Sequence, residues 1–238
     1  MTHIITTSWK RFVHLFKKQP KLCFLYSLIL TLCSSLVFIS GGIMQATGIV
    51  EKNPQLSIIF QIAVLCVSAA LTVVFSIAMI RFLARLHEKN TIQTIAQEVR
   101  SAKNCIIPGI LVMITYNIIM FGGFLLLIIP GFIFAVWYSF AFFGVILENK
   151  GIRESLSYSK KLVQGQSWSL FFVIAFFTIA ISVSSALLIN LSTLLFSIIL
   201  PKNLLIMAIV QVIVLGTLFT LIQVGFTTSL YTLFRQKK

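Results

Sequence analysis

Six apolar runs divide this chain, and they partition its basic residues so unevenly that topology follows from charge alone. A bilayer's hydrocarbon core is ~30 Å thick, and about 20 helical residues cross it. Runs of that kind occupy Leu22 to Met44, Leu56 to Ile80, Ile106 to Ile129, Phe132 to Leu147, Trp168 to Asn190 and Leu204 to Phe234. Of the nineteen Lys and Arg residues, Lys10, Arg11, Lys17, Lys18 and Lys21 precede the first run, and Arg81, Arg85, Lys89, Arg100 and Lys103 lie between the second and third. Lys150, Arg153, Lys160 and Lys161 separate the fourth from the fifth, and Arg235, Lys237 and Lys238 end the chain. Only Lys52 and Lys202 stand in the opposite loops, so the positive-inside rule puts both termini in the cytoplasm. The expected fold is all-α and integral to a membrane, one polytopic domain over residues 1–238 with six transmembrane helices in three hairpins.

Composition agrees. Hydrophobic residues make up 58% of the 238, and the mean hydropathy is +1.03, far from a soluble domain's mix. The net charge of +14 is spread over four short juxtamembrane segments instead of one stripe, so it points to anionic inner-leaflet lipid and not to nucleic acid. Cys23, Cys33, Cys66 and Cys105 show no CxxC spacing and no neighbouring His cluster. They read as small packing residues, with neither a disulfide nor a metal site. A basic start before an apolar run also resembles a signal peptide, with small residues at Ser40, Gly41 and Gly42. The run has the length of a full span, however, and an uncleaved first helix keeps the loop charges in register.

The cytoplasmic segments carry helical periodicity. Trp9, Phe12, Val13 and Phe16 oppose Lys10, Arg11, His14, Lys17 and Lys18, as in a helix lying in the interface plane. Ile92, Ile95, Ala96 and Val99 oppose Gln93, Gln97, Glu98 and Arg100, and Ile152, Leu156, Ser159 and Val163 oppose Arg153, Glu154, Lys160 and Lys161. Each hairpin is thus expected to follow an amphipathic surface helix, in three units starting near Ile4, Thr91 and Gly151; the same alternation also arises in any six-span chain with inside termini. Pro130 and Gly131 are expected to form a tight turn between the third and fourth spans. Small residues recur every four positions at Ser27, Thr31 and Ser35, at Ser68, Thr72 and Ser76, and at Thr178, Ser182, Ala186 and Asn190, a pattern that suits close helix packing. Asn117, Gln61, Gln211 and Gln223 are further amides at membrane depth, placed either for helix contacts or for a polar cavity.

Enzymatic chemistry finds little to use. The chain has no aspartate; its glutamates are Glu51, Glu88, Glu98, Glu148 and Glu154, and its histidines His3, His14 and His87. None of these lies within the apolar runs, and no GxSxG, HExxH or Walker-type loop is present. No catalytic, cofactor-binding or metal-binding residue is therefore expected, and no cofactor. The absence of ionisable groups at membrane depth speaks against a proton-coupled pump.

The stretch from Ile128 to Val173 contains a Pro-Gly pair (Pro130, Gly131) and an aromatic-rich helix ending at Glu148 and Gly151. Ser155, Leu156, Ser159 and Leu162 follow on a surface helix, with Trp168 before the next span. Together with Trp9, Lys10 and Phe12, this pattern resembles a family of bacterial six-helix inner-membrane proteins with no assigned activity. It is similar also to the membrane domain of some glycerophosphodiester phosphodiesterases. The resemblance implies six spans, inside termini and a bacterial cytoplasmic membrane, and it carries over no catalytic residue. The expected role is non-enzymatic, in envelope or membrane-lipid homeostasis through lipid or membrane-protein contacts; the other reading is a carrier or channel for a small neutral or amphiphilic solute. Lys160, Lys161, Lys17 and Lys18 are the candidate contacts for lipid headgroups. Ile152, Leu156 and Val163 are expected to face lipid or bundle, whereas a solvated linker would give these residues no fixed seat.

Overall fold

The computed structural model describes residues 2–49, 53–88, 95–199 and 204–236, and only the backbone at 46, 88, 95, 96, 128, 196–199 and 204–208. The structure is 93% helix and holds no strand among the described residues. The helices are α1 (Thr2–Lys18), α2 (Pro20–Ala46), α3 (Pro54–Glu88), α4 (Ile95–Leu126), α5 (Ile128–Trp137), α6 (Ala141–Glu148), α7 (Ile152–Val163), α8 (Ser167–Ile199) and α9 (Leu204–Gln236). Pro20 and Pro54 open α2 and α3, where a fixed φ suits the first turn and the missing N–H has no helical acceptor to lose. Six stretches are long and apolar enough to cross a membrane: Pro20–Gln45, Pro54–His87, Gln97–Leu126, Ile129–Glu148, Ser167–Leu195 and Ile209–Gln236. They match the six runs of the sequence. Lys52 and Lys202, the two basic residues expected in the opposite loops, lie outside the described residues, as do Lys89, Thr91, Ile92, Gln93, Lys237 and Lys238.

The chain forms two compact units. One comprises residues 20–76 and 180–223, the other residues 1–19, 77–179 and 224–238. In the first, the small-residue row of α2 packs as its spacing suggests: Ser27, Thr31 and Ser35 are buried. Thr31 donates to Thr220 Oγ1 at 3.3 Å, and a Cβ on Gly216 would come within 2.7 Å of the Thr31 methyl, so these helices touch backbone to side chain. Ser68 on α3 donates across to the Cys33 carbonyl at 2.7 Å. The row on α8 behaves otherwise. Thr178, Ser182, Ala186 and Asn190 are exposed. Cys66 is likewise exposed, whereas Cys23, Cys33 and Cys105 are buried as packing residues.

The other unit buries Phe82, Leu83, Ile146, Leu170, Phe226 and Tyr231. Phe177 stacks on Phe226 with ring centroids 3.7 Å apart, and Phe12 of α1 seats against Gly225, where any Cβ would collide with its ring. The buried stripe of α1 is Ile4, Ser8, Phe12 and Leu15, with Trp9 43% exposed. This corrects the apolar face read as Trp9, Phe12, Val13 and Phe16: charge alternation set that reading, but the shape of Gly225 sets the seat. The second amphipath is corrected too. Its described part is continuous with the third span in α4, and Glu98, assigned to the polar face, is 1% exposed because Arg85 Nη1 meets its Oε1 at 3.2 Å.

Two further expectations fail at the fourth span, which is not one helix but α5 and α6 in sequence. Pro130 and Gly131 form no turn. The chain breaks at Leu127, extended at φ −162° and ψ 148°, and Pro130 sits in the first turn of α5, where its missing N–H costs no helical bond. Gly131 is helical, its N–H donating to the Leu127 carbonyl at 3.3 Å. It is glycine for contact: a Cβ there would lie 2.5 Å from Phe124 Cδ1, and one on Gly123 would lie 3.0 Å from the Gly131 Cα. Gly131→Ala is therefore expected to destabilise the folded protein by ~1–3 kcal/mol through overpacking, read as a lower thermal midpoint in detergent. Gly122→Ala, with nothing within 4 Å of the new Cβ, is expected to leave the midpoint unchanged or higher.

Candidate functional site

The break between α5 and α6 organises the surroundings of the candidate basic residues. Across it, Ser139 N–H donates to Val136 O at 3.3 Å and Ala141 N–H to Tyr138 O at 3.0 Å. Trp137 O and Phe140 N–H are thereby left without helical partners. Ser159 of α7 serves both: its Oγ donates to Trp137 O at 2.7 Å and accepts from Phe140 N–H at 3.1 Å. Ser159 itself is fully buried, as is Ser155 one turn earlier, which presses against Gly144 so closely that a Cβ there would lie 3.3 Å from its own. A glycine on α6 and serines four residues apart on α7 thus let the two helices meet.

The rest of α7 follows from that contact. Leu162 and Val163 are buried, and Ile152 and Leu156 pack on the cluster of Val112, Ala141 and Val145. The apolar face turns to the bundle, which leaves Lys160 and Lys161 exposed on the other. Lys160 Nζ lies 4.1 Å from the centre of the Trp137 ring, a cation–π contact that fixes the ammonium over α5. Lys17 and Lys18 are also exposed, at the end of α1, on a different element. Gly165, at φ +88°, then reverses the chain into α8 in a conformation that L side chains rarely adopt.

Below this corner lies an open groove of about 580 Å³, lined by Ile129, Phe132, Ile133, Val136 and Trp137 of α5, by Gly165 and Gln166, and by Ser167, Trp168, Ser169 and Phe171 of α8. The rings of Phe132 and Phe171 meet edge-to-face at 5.5 Å across its apolar end. Its other end is polar. There Gln166 Oε1 is buried and has no hydrogen-bond partner among the described residues, while Trp168 stands 66% exposed at the rim.

Two polar knots close the same unit. Arg81 donates to Ser101 O at 2.6 Å, to Ile146 O at 3.3 Å and to Cys105 Sγ at 2.9 Å, so a guanidinium takes up a carbonyl near the C-terminal end of α6. Glu148 accepts from Tyr231 at 3.0 Å and pairs with Arg235 Nε at 2.8 Å, and Tyr158 OH lies 3.3 Å from Tyr231 OH. Glu148, the acid at the end of the aromatic helix, thus ties α6 to α7 and α9. Both contacts are made by its Oε1. No group of three His, Cys, Asp or Glu residues placed for a metal occurs among the described residues.

The sequence places Ser159 on the apolar face of α7, and the structure buries it there; its double hydrogen bond and the buried oxygen of Gln166 are not in that reading, and the signal for the first is the spacing of Ser159 from Ser155 opposite a helix containing Gly144. Comparison with protein-family models, curated proteins and solved structures finds no match to this chain.

Ser159→Ala leaves Trp137 O and Phe140 N–H unpaired in a buried setting. The expected cost is ~1–3 kcal/mol, measured as a lower denaturation midpoint with faster hydrogen exchange at the Phe140 amide. Ser157→Ala, at an exposed position of the same helix, is expected to change neither.

Proposed function

We propose that this chain is a non-enzymatic multipass protein of a bacterial inner membrane that works in envelope or membrane-lipid homeostasis by holding lipid against its cytoplasmic face. In this reading the six spans form three hairpins, both termini are cytoplasmic, and α1 and α7 lie at the inner interface, in keeping with the family that the Pro130 to Trp168 pattern resembles. One observation carries it: α7 is seated by its buried serines and leucine, so Lys160 and Lys161 are presented outward, with the Lys160 ammonium over the Trp137 ring. Lys17 and Lys18 extend the basic face. The ordered, packed helix also favours this reading over a solvated linker. A membrane-protein partner on the same face is compatible with it.

A carrier or channel remains the second reading, but the amides it would use are engaged elsewhere. Asn117 and Asn190 are exposed and donate to carbonyls of their own helices, Met113 and Ala186, each at 2.8 Å. Gln211 donates to Ile189 O at 2.7 Å.

Replacing Lys160 and Lys161 together with Gln is expected to weaken retention of anionic phospholipid by the purified protein roughly thirtyfold, since each basic residue near an anionic surface contributes ~1 kcal/mol. Unchanged retention would remove the basis for the lipid reading. Orientation is tested separately. A reporter fused after Lys238 or inserted within Ala84 to Ala102 is expected in the cytoplasm, and a cysteine placed at Lys52 is expected to be labelled only from outside; cytoplasmic labelling at position 52 would overturn the six-span arrangement.

A further inference from the structure

We propose that α1 is a detachable helix with two seats, one in the bundle and one on the anionic surface of the inner leaflet, and that it passes from the first to the second as the bilayer gains negative charge. The proposal rests on the membrane reading above and adds a regulation to it. Two apolar stripes overlap on this helix. Ile4, Phe12 and Leu15 are buried, and the Phe12 ring fills the place that Gly225 of α9 leaves open. At 3.6 residues per turn, Trp9, Val13 and Phe16 widen that stripe to about half the circumference. Trp9 is nevertheless 43% exposed, and Val13 and Phe16 are only partly covered. The bundle thus uses one edge of an apolar face whose full width suits a helix lying in the interface plane.

The bundle seat is also costly in polar groups. Ser8 is fully buried on it, and its Oγ has no hydrogen-bond partner among the described residues. Arg11, three positions on and therefore beside Ser8 on the helix surface, has its Nη1 buried and equally unpaired. A buried donor without an acceptor has given up its hydration and gained no bond in return. Release hydrates the hydroxyl. It also frees the guanidinium, at the border of the apolar face, to reach lipid phosphate with the forked donors that suit it. A ligand shifts an equilibrium only through contacts that it makes in one state and not in the other, and Arg11 supplies such a contact. Lys10 and Lys17, exposed on the polar half, add attraction to the same surface. The link to the next helix permits the motion: α1 ends at Lys18, Gln19 lies outside any helix, and Pro20 opens α2 with no N–H to continue the hydrogen bonds of α1.

The test uses the full-length protein in lipid nanodiscs, with spin labels on Thr6→Cys of α1 and Ser157→Cys of α7, both exposed positions of one compact unit. Cys66, the exposed native cysteine, is replaced by serine, and Cys23, Cys33 and Cys105 are buried. Double electron-electron resonance reads the distance between the labels. In phosphatidylcholine alone one distance is expected to dominate. With about one-third phosphatidylglycerol a second is expected, its population relative to the first raised roughly tenfold, which corresponds to ~1.4 kcal/mol. Arg11→Gln, which removes the phosphate contact, is expected to abolish most of that response. Ser8→Ala keeps the fit and removes the unpaired hydroxyl, and it is expected to favour the docked distance about fivefold in either lipid. Gly225→Ala leaves α1 unaltered but puts a Cβ into the Phe12 ring, so it is expected to give the second distance even in phosphatidylcholine. A single, unchanged distance for the labelled protein in both lipids overturns the proposal before any further variant is made. So does a lipid response that survives Arg11→Gln undiminished. Retention of anionic lipid through Lys160 and Lys161 is measured separately in detergent: retention with a fixed α1 refutes this exchange alone, and an α1 response without retention removes the lipid-holding reading and leaves the exchange.

Discussion

A helix interrupted inside a bundle strands backbone N–H and C=O groups where no water reaches them, and the arrangement of residues 77–179 depends on how one such interruption is closed. In an apolar environment every unpaired backbone group costs several kcal/mol, and broken helices persist only where neighbours restore the bonds. At Trp137 and Phe140 the restoring group is a single hydroxyl, that of Ser159, acting as donor and acceptor together. Serine suits the place because it is small enough for the close approach that Gly144 and Ser155 permit. Alanine would match the shape and strand both backbone groups.

That closure has a geometric consequence. A short helix of twelve residues is marginal in isolation, and most helical stability in proteins comes from packing an amphipathic face. Once Ser159 is anchored, the 3.6-residue period dictates the rest of α7: Ser155, Leu162 and Val163 join the buried face, and Lys160 and Lys161 cannot. The position of Lys160 over Trp137 is thus inherited from a backbone requirement on α5 and α6. The Glu148 knot acts in the same sense from the other end, holding Tyr231 and Arg235 of α9 to the end of α6. Its Oε1 is paired with a guanidinium and a phenol.

The six spans were legible because length and hydropathy depend on local composition, and the bilayer imposes one thickness on every run. The seam of Ser27, Thr31 and Ser35 was legible for a similar reason, since small residues at helical spacing favour close approach. Where partners decide, periodicity misled. Trp9 and Ile4 are both apolar on α1, yet only Ile4 is buried, because Gly225 admits Phe12 and thereby selects the stripe. Glu98 reads as solvated until Arg85 stands opposite it. Pro130 and Gly131 read as a turn from residue type alone; the contact of Gly131 with Phe124 involves another helix, and no local rule contains it. Charge makes Lys160 and Lys161 candidates, whereas nothing in the sequence marks Gln166, since a glutamine before a span differs from any other loop amide only by what surrounds its oxygen.

Polar residues in an apolar span do not by themselves describe a polar surface. Asn117, Asn190, Thr115 and Thr193 each donate to a carbonyl four residues back on their own helix. A bond of that kind lowers the cost of the side chain's donor wherever the residue faces, so four such residues require no common lumen. A solute pathway demands the reverse: polar atoms left unspent by their own helices and turned toward one space. Gln166 meets the first condition with its buried oxygen and adjoins a groove, but the groove's wall on α5 is Ile129, Phe132, Ile133, Val136 and Trp137. A continuous polar path would leave those walls unused.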